Sequence, residues 1–130
     1  MTNKLTFKLI SCCNTIMLPQ PLNHIQHIKI SKLLYKIISP SIYAIKLSIP
    51  SFNQHSFFNG QTTINYFFML FNDGNSNNLI NYQNIYNISD YSDSYPRGVN
   101  SITINITDDE ENLLSEISED NPLLIELEFY

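Results

Sequence analysis

Strict alternation of apolar and polar residues in the last third of the chain constrains its fold more than any other feature. Residues 101–107 place Ile102, Ile104 and Ile106 at every second position. Residues 123–130 repeat the pattern, with Glu126 and Glu128 between the apolar positions Leu123, Ile125, Leu127 and Phe129. A period of two is typical of a half-buried β-strand. Because two strands alone are marginal in water, the earlier segments must cover their apolar faces, which predicts a small β-rich domain.

Length and composition favour one domain, residues 1–130, that needs no structural metal site or disulfide bond for its stability. The chain has 130 residues, of which 43% are hydrophobic, enough for an ordinary core. Its two cysteines, Cys12 and Cys13, are adjacent, which argues against a disulfide framework and fits a reducing compartment. Lys8 interrupts the first apolar run, so we expect no signal peptide. No window approaches 18 apolar residues, so we expect no transmembrane helix.

Charge divides the chain into a basic and an acidic half. Residues 1–60 contain six lysines and no acid, whereas residues 61–130 contain one arginine and all twelve acids. The two halves could neutralise each other within one monomer, or the basic surface of one copy could meet the acidic surface of another. The sequence leaves both alternatives open.

Three further strands follow from alternation or apolar content. Residues 4–10 and 42–49 alternate clearly, and Pro50 ends the second of these segments. Residues 62–71 are apolar on both faces, which predicts a central strand. Pro19 and Pro21 favour extended or turn backbone between the first strand and the next segment.

Three segments are ambiguous or irregular. Residues 24–38 predict a strand up to Ile30, and then a short helix or an irregular strand over 31–38. Residues 72–75 predict a loose hairpin turn, and 79–97 predict a long surface connection with one short strand around 85–88. Residues 108–118 match a helix with a capping box, and they equally allow a β-turn at 108–112 followed by a short strand.

Two blocks carry a family resemblance. Residues 104–114 with 122–129 are similar to the closing motif of small β-sandwich structural proteins of large DNA viruses, virophages and related virus-like transposons. Residues 43–52 are similar to a strand of the same proteins that ends in a proline and an aromatic residue. In the closing motif, an alternating strand enters an acidic turn containing Gly-Asn and a final alternating strand follows. Glu111 stands where that pattern has a glycine, and this departure leaves the helical alternative open.

The resemblance implies a jelly-roll-like sandwich in a capsid, as a minor capsid, penton or spike-associated component. It carries over no catalytic residue, and we expect no enzyme and no cofactor. The expected partners are other capsid proteins or further copies of the chain, and the expected location is the virion. We expect no small-molecule substrate.

The residues present give little support to a metal, catalytic or nucleic-acid-binding site. Zinc binding by Cys12, Cys13, His24 and His27 lacks the usual ligand spacing. Cys13 with His24 or His55 lacks the surroundings of an activated nucleophile. The acids at 108–111 neither alternate nor contain the glycine of a calcium loop. Four lysines and two tyrosines could attract nucleic acid or a membrane surface, but the single arginine of the chain argues against this: Lys29, Lys32, Lys36, Lys46, Tyr35 and Tyr43.

We therefore predict a mainly all-β protein: one antiparallel, jelly-roll-like β-sandwich with at most one or two short helices, acting by assembly. Aromatic residues anchor interfaces and complementary charges orient them. On these grounds the candidate interface residues are Tyr82, Tyr86, Tyr91, Tyr95, Lys29, Lys32 and Lys36. The alternative is a glycan- or receptor-binding module that presents residues 72–97.

Overall fold

A computed structural model describes residues 3–74, 76–95 and 97–130. Its strands are β1 (Asn3–Leu9), β2 (Cys13–Leu22), β3 (Ile25–Lys36), β4 (Ala44–Ser48), β5 (His55–Phe58), β6 (Thr63–Tyr66), β7 (Phe68–Phe71), β8 (Leu79–Gln83), β9 (Tyr91–Tyr95), β10 (Val99–Asp108) and β11 (Leu123–Phe129). Helical turns are limited, in this part of the chain, to 3-10 segments at Pro50–Phe52 and Ser76–Asn78. The predicted all-β class is confirmed.

The strands form two antiparallel sheets and a hairpin. One sheet has the order β1-β11-β3-β8, with β9 also paired to β3, and the other has the order β2-β10-β4-β7. Strands β5 and β6 form the separate hairpin. From β1 to β4 the chain alternates between the sheets, so their apolar faces are brought together as a sandwich.

The core lies between the sheets and uses the residues that alternation predicts. In β11 the inward residues Leu123, Ile125, Leu127 and Phe129 are almost fully buried. In β10 the same holds for Ile102, Ile104 and Ile106. The two strands therefore bury one face each, because the side-chain period of a strand is two.

The first ambiguous segment is one irregular strand, so the helical alternative for 31–38 is wrong. Strand β3 continues to Lys36, and its pairing with β11 shifts between Ile30 and Lys32. The extra residue, Ser31, accommodates the change of register as a β-bulge does. Of the extended or turn backbone expected around Pro19 and Pro21, the structure has the extended form, as part of β2.

The prediction of a central strand over 62–71 is wrong. The segment breaks at Phe67, whose side chain is fully buried, into β6 of the hairpin and β7 at a sheet edge. Its apolar residues are explained by contacts outside the sheet ladder: the Phe68 ring packs against Tyr82 of β8 at 4.9 Å between centroids.

The segment 79–97 and the acidic segment also differ from expectation. Two strands, β8 and β9, flank the segment predicted as a strand at 85–88, which is a loop. The helix alternative for 108–118 is wrong: a turn follows β10, and Thr107 forms an isolated bridge with Leu113. Glu111 has φ +69°, a left-handed conformation that ends any helical path there. The 72–75 turn includes residue 75, which lies outside the described residues.

Candidate functional site: the sheet edges and exposed loops

The four candidate tyrosines lie in different environments. Tyr91 belongs to the core, and Tyr91 and Tyr95 pack around the Phe52 ring at centroid distances of 5.0 and 4.9 Å. Tyr82 is half-buried against β7. Tyr86 alone of the four is largely exposed, at 79%. The tyrosines do not form one surface, and as contact residues they stay predictions.

Tyr86 lies in an ordered loop between β8 and β9. The Asn84 side chain donates a hydrogen bond to the Ile88 carbonyl at 2.7 Å and accepts one from the Ile88 amide at 3.2 Å. Asn87, with φ +57°, accepts a hydrogen bond from the Lys29 ammonium. This bracing presents the exposed side chains of Ile85, Tyr86 and Ile88 in one loop.

The three candidate lysines belong to β3, and the structure pairs Lys29 with an acid of the same chain. Strand β11 lies between β1 and β3, so its acids stand between basic strands. Lys29 forms an ion pair with Glu128 at 3.3 Å, and Lys32 pairs in register with Glu126. Lys32 and Lys36 are exposed at the surface. On this face, the alternative of neutralisation within the monomer accounts for Lys29.

Lys46 is not available to a nucleic acid. Its side chain is only 3% exposed, and its ammonium forms an ion pair with Glu111 and lies 4.2 Å from the centroid of the Phe57 ring. The hairpin of β5 and β6 covers it, with Phe57 supplied by β5. Lys46 therefore has a structural role beneath the hairpin.

The carboxylates of Asp108 and Asp109 stabilise the turn through hydrogen bonds to backbone amides. The Asp108 carboxylate accepts hydrogen bonds from the amides of Glu110 and Asn112 at 2.8 and 2.9 Å. Asp109 accepts the Tyr43 amide at 2.9 Å, which joins the turn to β4. These contacts explain the acidic run by local structure, as Asx-type turns do.

The cysteines and histidines are dispersed. Among the described residues, no group of three or more His, Cys, Asp or Glu side chains is placed to hold a metal ion. His27 stacks on Tyr130 and hydrogen-bonds to Ser92, and His55 stacks on Tyr66. Desolvation, with the hydrogen bond and charge of Cys12, raises the pKa of the Cys13 thiol. A raised pKa reduces the thiolate fraction, which is the reverse of what a nucleophilic cysteine needs.

The four sheet edges differ in how they are protected. Strands β1 and β2 form the edges on one side of the sandwich, and they carry Lys4 and Lys8, and Pro19 and Pro21. Lysine and proline are the usual means by which natural edge strands avoid pairing with other chains. This side is protected by its own sequence.

The opposite side lacks these residues. On that side β7 ends one sheet, while β8 and β9 pair with different parts of β3 at the end of the other. The sequences of β7 and β8, Phe-Met-Leu-Phe and Leu-Ile-Asn-Tyr-Gln, contain no charge and no proline, whereas β9 carries Asp93. A groove of about 380 Å³ runs between β7 and β8, lined by residues of both strands and, beyond the end of β7, by Asn72 and Asp73. Exposed Phe71 and Leu79 lie along it. We call β7 and β8 together the open edge.

The open edge is the feature that sequence reasoning missed. The signal was present, since neither segment contains a charged residue or a proline. Their position at the edge, however, depends on strand order, which is a non-local property.

No family model matches the chain, and no curated protein matches it at a significant level. Within the described ranges, 3–74, 76–95 and 97–130, no helix has the length and apolar content needed to cross a membrane.

Proposed function

We propose that this protein is a non-enzymatic structural component that acts by assembly, pairing its open edge with a second copy or with another coat protein. The observation that carries the proposal is the contrast between the two sides of the sandwich. The edge strands β1 and β2 on one side carry lysine and proline, whereas β7 and β8 on the other side contain no lysine, no proline and no charge.

Edge strands of this kind bind other strands by main-chain hydrogen bonds. An added strand pairs with the free N–H and C=O groups, and the apolar side chains beside them supply buried area. Phe71 and Leu79 are placed to do this, because both line the groove between the edges. The similarity of residues 43–52, 104–114 and 122–129 to viral coat sandwiches supports a place in a virus-like capsid, as a minor capsid, penton or spike-associated protein.

The test places a charge on each side of the sandwich in turn. Phe71 is 76% exposed on β7, and Met17 is 72% exposed on β2, so Phe71→Lys and Met17→Lys make the same change at similar exposure. Analytical ultracentrifugation over a range of concentrations should show association for the wild type and for Met17→Lys, and a loss of association for Phe71→Lys.

Equal association of the two variants would reject the open edge as the contact. Electron microscopy of the particles in which the protein occurs tests the capsid assignment separately. If the protein is labelled and the label appears only on free protein outside any particle, the capsid assignment is rejected.

A second candidate function is recognition of a glycan or a host protein by the loop between β8 and β9. The observation that favours it is the braced loop with exposed Ile85, Tyr86 and Ile88. A glycan array should then give a signal that Tyr86→Ala abolishes, while Tyr43→Ala, at an exposed tyrosine outside the loop, keeps it. A signal unaffected by Tyr86→Ala would exclude the loop.

A further inference from the structure

A small pocket outside the open edge combines aromatic walls with one carboxylate. It has a volume of about 190 Å³ and is lined by His55, Tyr66, Phe68, Met69 and Asp90. At about 30 Å³ for each water-sized group, it has room for about six such groups. We call it the Asp90 pocket.

The aromatic walls are held by pairing and stacking. His55 and Tyr66 are register partners in the hairpin, and their rings stack with centroids 5.4 Å apart and an interplanar angle of 27°. The Phe68 ring is supported by Tyr82 at a centroid distance of 4.9 Å. Met69 adds a polarisable, apolar side chain. The walls are therefore preformed.

The carboxylate is fixed in place by β3. Strands β8 and β9 pair with different parts of β3, and Asp90 occupies the interval between them. The Asp90 amide donates to the Ile28 carbonyl at 2.8 Å, and Asp90 Oδ2 accepts the Ile30 amide at 2.7 Å. Asp90 Oδ1 accepts no protein hydrogen bond among the residues that the structure describes.

The charge of Asp90 is only partly compensated. Burial raises its pKa to about 6, while the Ile30 amide and the charge of His55 act in the opposite direction. The ion pairs formed by the described residues use Glu128 and Glu111 and do not include Asp90. Above pH 7 the pocket therefore contains a half-buried carboxylate whose charge no lysine or arginine of this region pairs with.

We propose that the Asp90 pocket binds an alkylammonium head group, either a lysine-like primary amine or a methylated ammonium. The faces of aromatic rings attract such cations, and the carboxylate supplies the opposite charge. An anion would meet the charge of Asp90, and a metal ion would lack a set of three protein ligands among the described residues. This inference does not depend on the assembly proposal, because it needs only the isolated chain.

The experiment is an NMR titration at pH 7.5 with three probes at millimolar concentration. Choline represents the methylated ammonium, butylamine represents the lysine side chain, and 3,3-dimethylbutanol is the neutral analogue of choline. Choline or butylamine, or both, should shift resonances of the pocket residues in a saturable manner, and the tighter of the two identifies the source of the head group. Sodium chloride at the same concentration corrects for ionic strength.

The variants test which groups bind. Asp90→Asn should weaken binding about tenfold, since one charge contact at a partly desolvated site is worth roughly that factor. Tyr66→Leu should weaken choline binding by a similar factor and provides an independent test of the aromatic wall. Asp93→Asn changes an exposed acid in β9 and should leave binding unchanged.

Three results would overturn the proposal. They are the absence of saturable shifts with both cations, binding of 3,3-dimethylbutanol as tight as that of the tighter cation, and unchanged binding of that cation in both Asp90→Asn and Tyr66→Leu.

Discussion

The ion pair of Lys46 with Glu111 provides the sharpest test of how the hairpin is held on the sandwich. Lys46 is buried under Phe57, and Glu111 is the acid that meets its ammonium. The carboxylate of Glu111 is 30% exposed, so water reaches one side of the pair. Removing the acid should leave a cation that the hairpin still covers.

Glu111→Gln keeps the shape of the side chain and removes its charge. Breaking a fully buried pair costs about 3–5 kcal/mol, because one charge remains uncompensated. Since Glu111 is partly exposed, we expect a smaller loss of unfolding free energy, about 1–3 kcal/mol. Lys46→Met removes the buried charge itself and should change the unfolding free energy by less than about 1 kcal/mol, or raise it.

Glu111→Gly distinguishes the effect of the charge from the effect of the backbone conformation at this position. The φ of +69° at Glu111 costs a non-glycine residue about 1 kcal/mol, a cost that glycine avoids. Glu111→Gly should therefore be about 1 kcal/mol more stable than Glu111→Ala, which loses the same charge and keeps the strain. Of the two, only the glycine variant reproduces the residue of the viral coat pattern.

Urea unfolding followed by far-UV circular dichroism measures these differences. Glu110→Gln is the matched control, because Glu110 is the neighbouring exposed acid, and it should shift the unfolding free energy by less than about 0.5 kcal/mol. If Glu111→Gln unfolds like Glu110→Gln, the ion pair does not stabilise the fold and the reasoning is wrong.

Two further predictions follow from buried acids. Burial raises the pKa of Asp90 from 3.8 to about 6, so Asp90 stays protonated to a higher pH in the folded state than in the unfolded state. The unfolding free energy therefore falls as pH rises from about 4 to 6. In urea unfolding above pH 6, the unfolding free energy of Asp90→Asn should exceed that of the wild type by about 1–2 kcal/mol, a value reduced for the partial exposure of Asp90. Below about pH 4 the two should be equal. The control Asp93→Asn should show no such pH dependence. The Glu116 carboxylate accepts hydrogen bonds from the Tyr35 hydroxyl and from the amides of Ile38 and Ser39, the last two at 2.7 and 3.2 Å. In the same urea assay, Glu116→Ala should therefore lower the unfolding free energy by about 2–3 kcal/mol. Glu119→Ala, at an exposed acid, should leave it nearly unchanged.

Alternation predicted the buried faces because burial of one strand face is a local property. Ile102, Ile104 and Ile106 and the apolar residues of β11 lie inward as expected. The order of strands depends on which distant segments pair, and no local pattern contains it. For this reason the apolar content of 62–71 suggested a central strand, whereas β7 lies at an edge.

The acidic turn shows how a correct local signal can support the wrong structure. Asp108 accepts amide hydrogen bonds as a helix cap would, from Glu110 and Asn112. The same contacts form in a turn, and the bridge between Thr107 and Leu113 commits the backbone to the turn. Glu111 forms its ion pair with Lys46, which lies 65 positions earlier, so no local pattern could indicate that pair.

The two sides of the sandwich also distinguish apolar from charge-driven association. Lys29 forms an ion pair with Glu128 and Lys46 with Glu111, so two of the six lysines of the first half are paired within the monomer. The open edge contains no charged residue. Association through it should therefore persist when salt rises from about 0.05 to 0.5 M, since ions screen charges and leave apolar contacts intact.

Sedimentation of the wild type across this salt range checks the prediction, with Phe71→Lys as the variant that cannot associate. An association that dissolves as salt increases would instead favour the head-to-tail alternative, in which the basic surface of one copy meets the acidic surface of the next. In that case Lys32 and Lys36, the exposed candidate lysines, would be the residues to change, because Lys29 already has Glu128 as its partner.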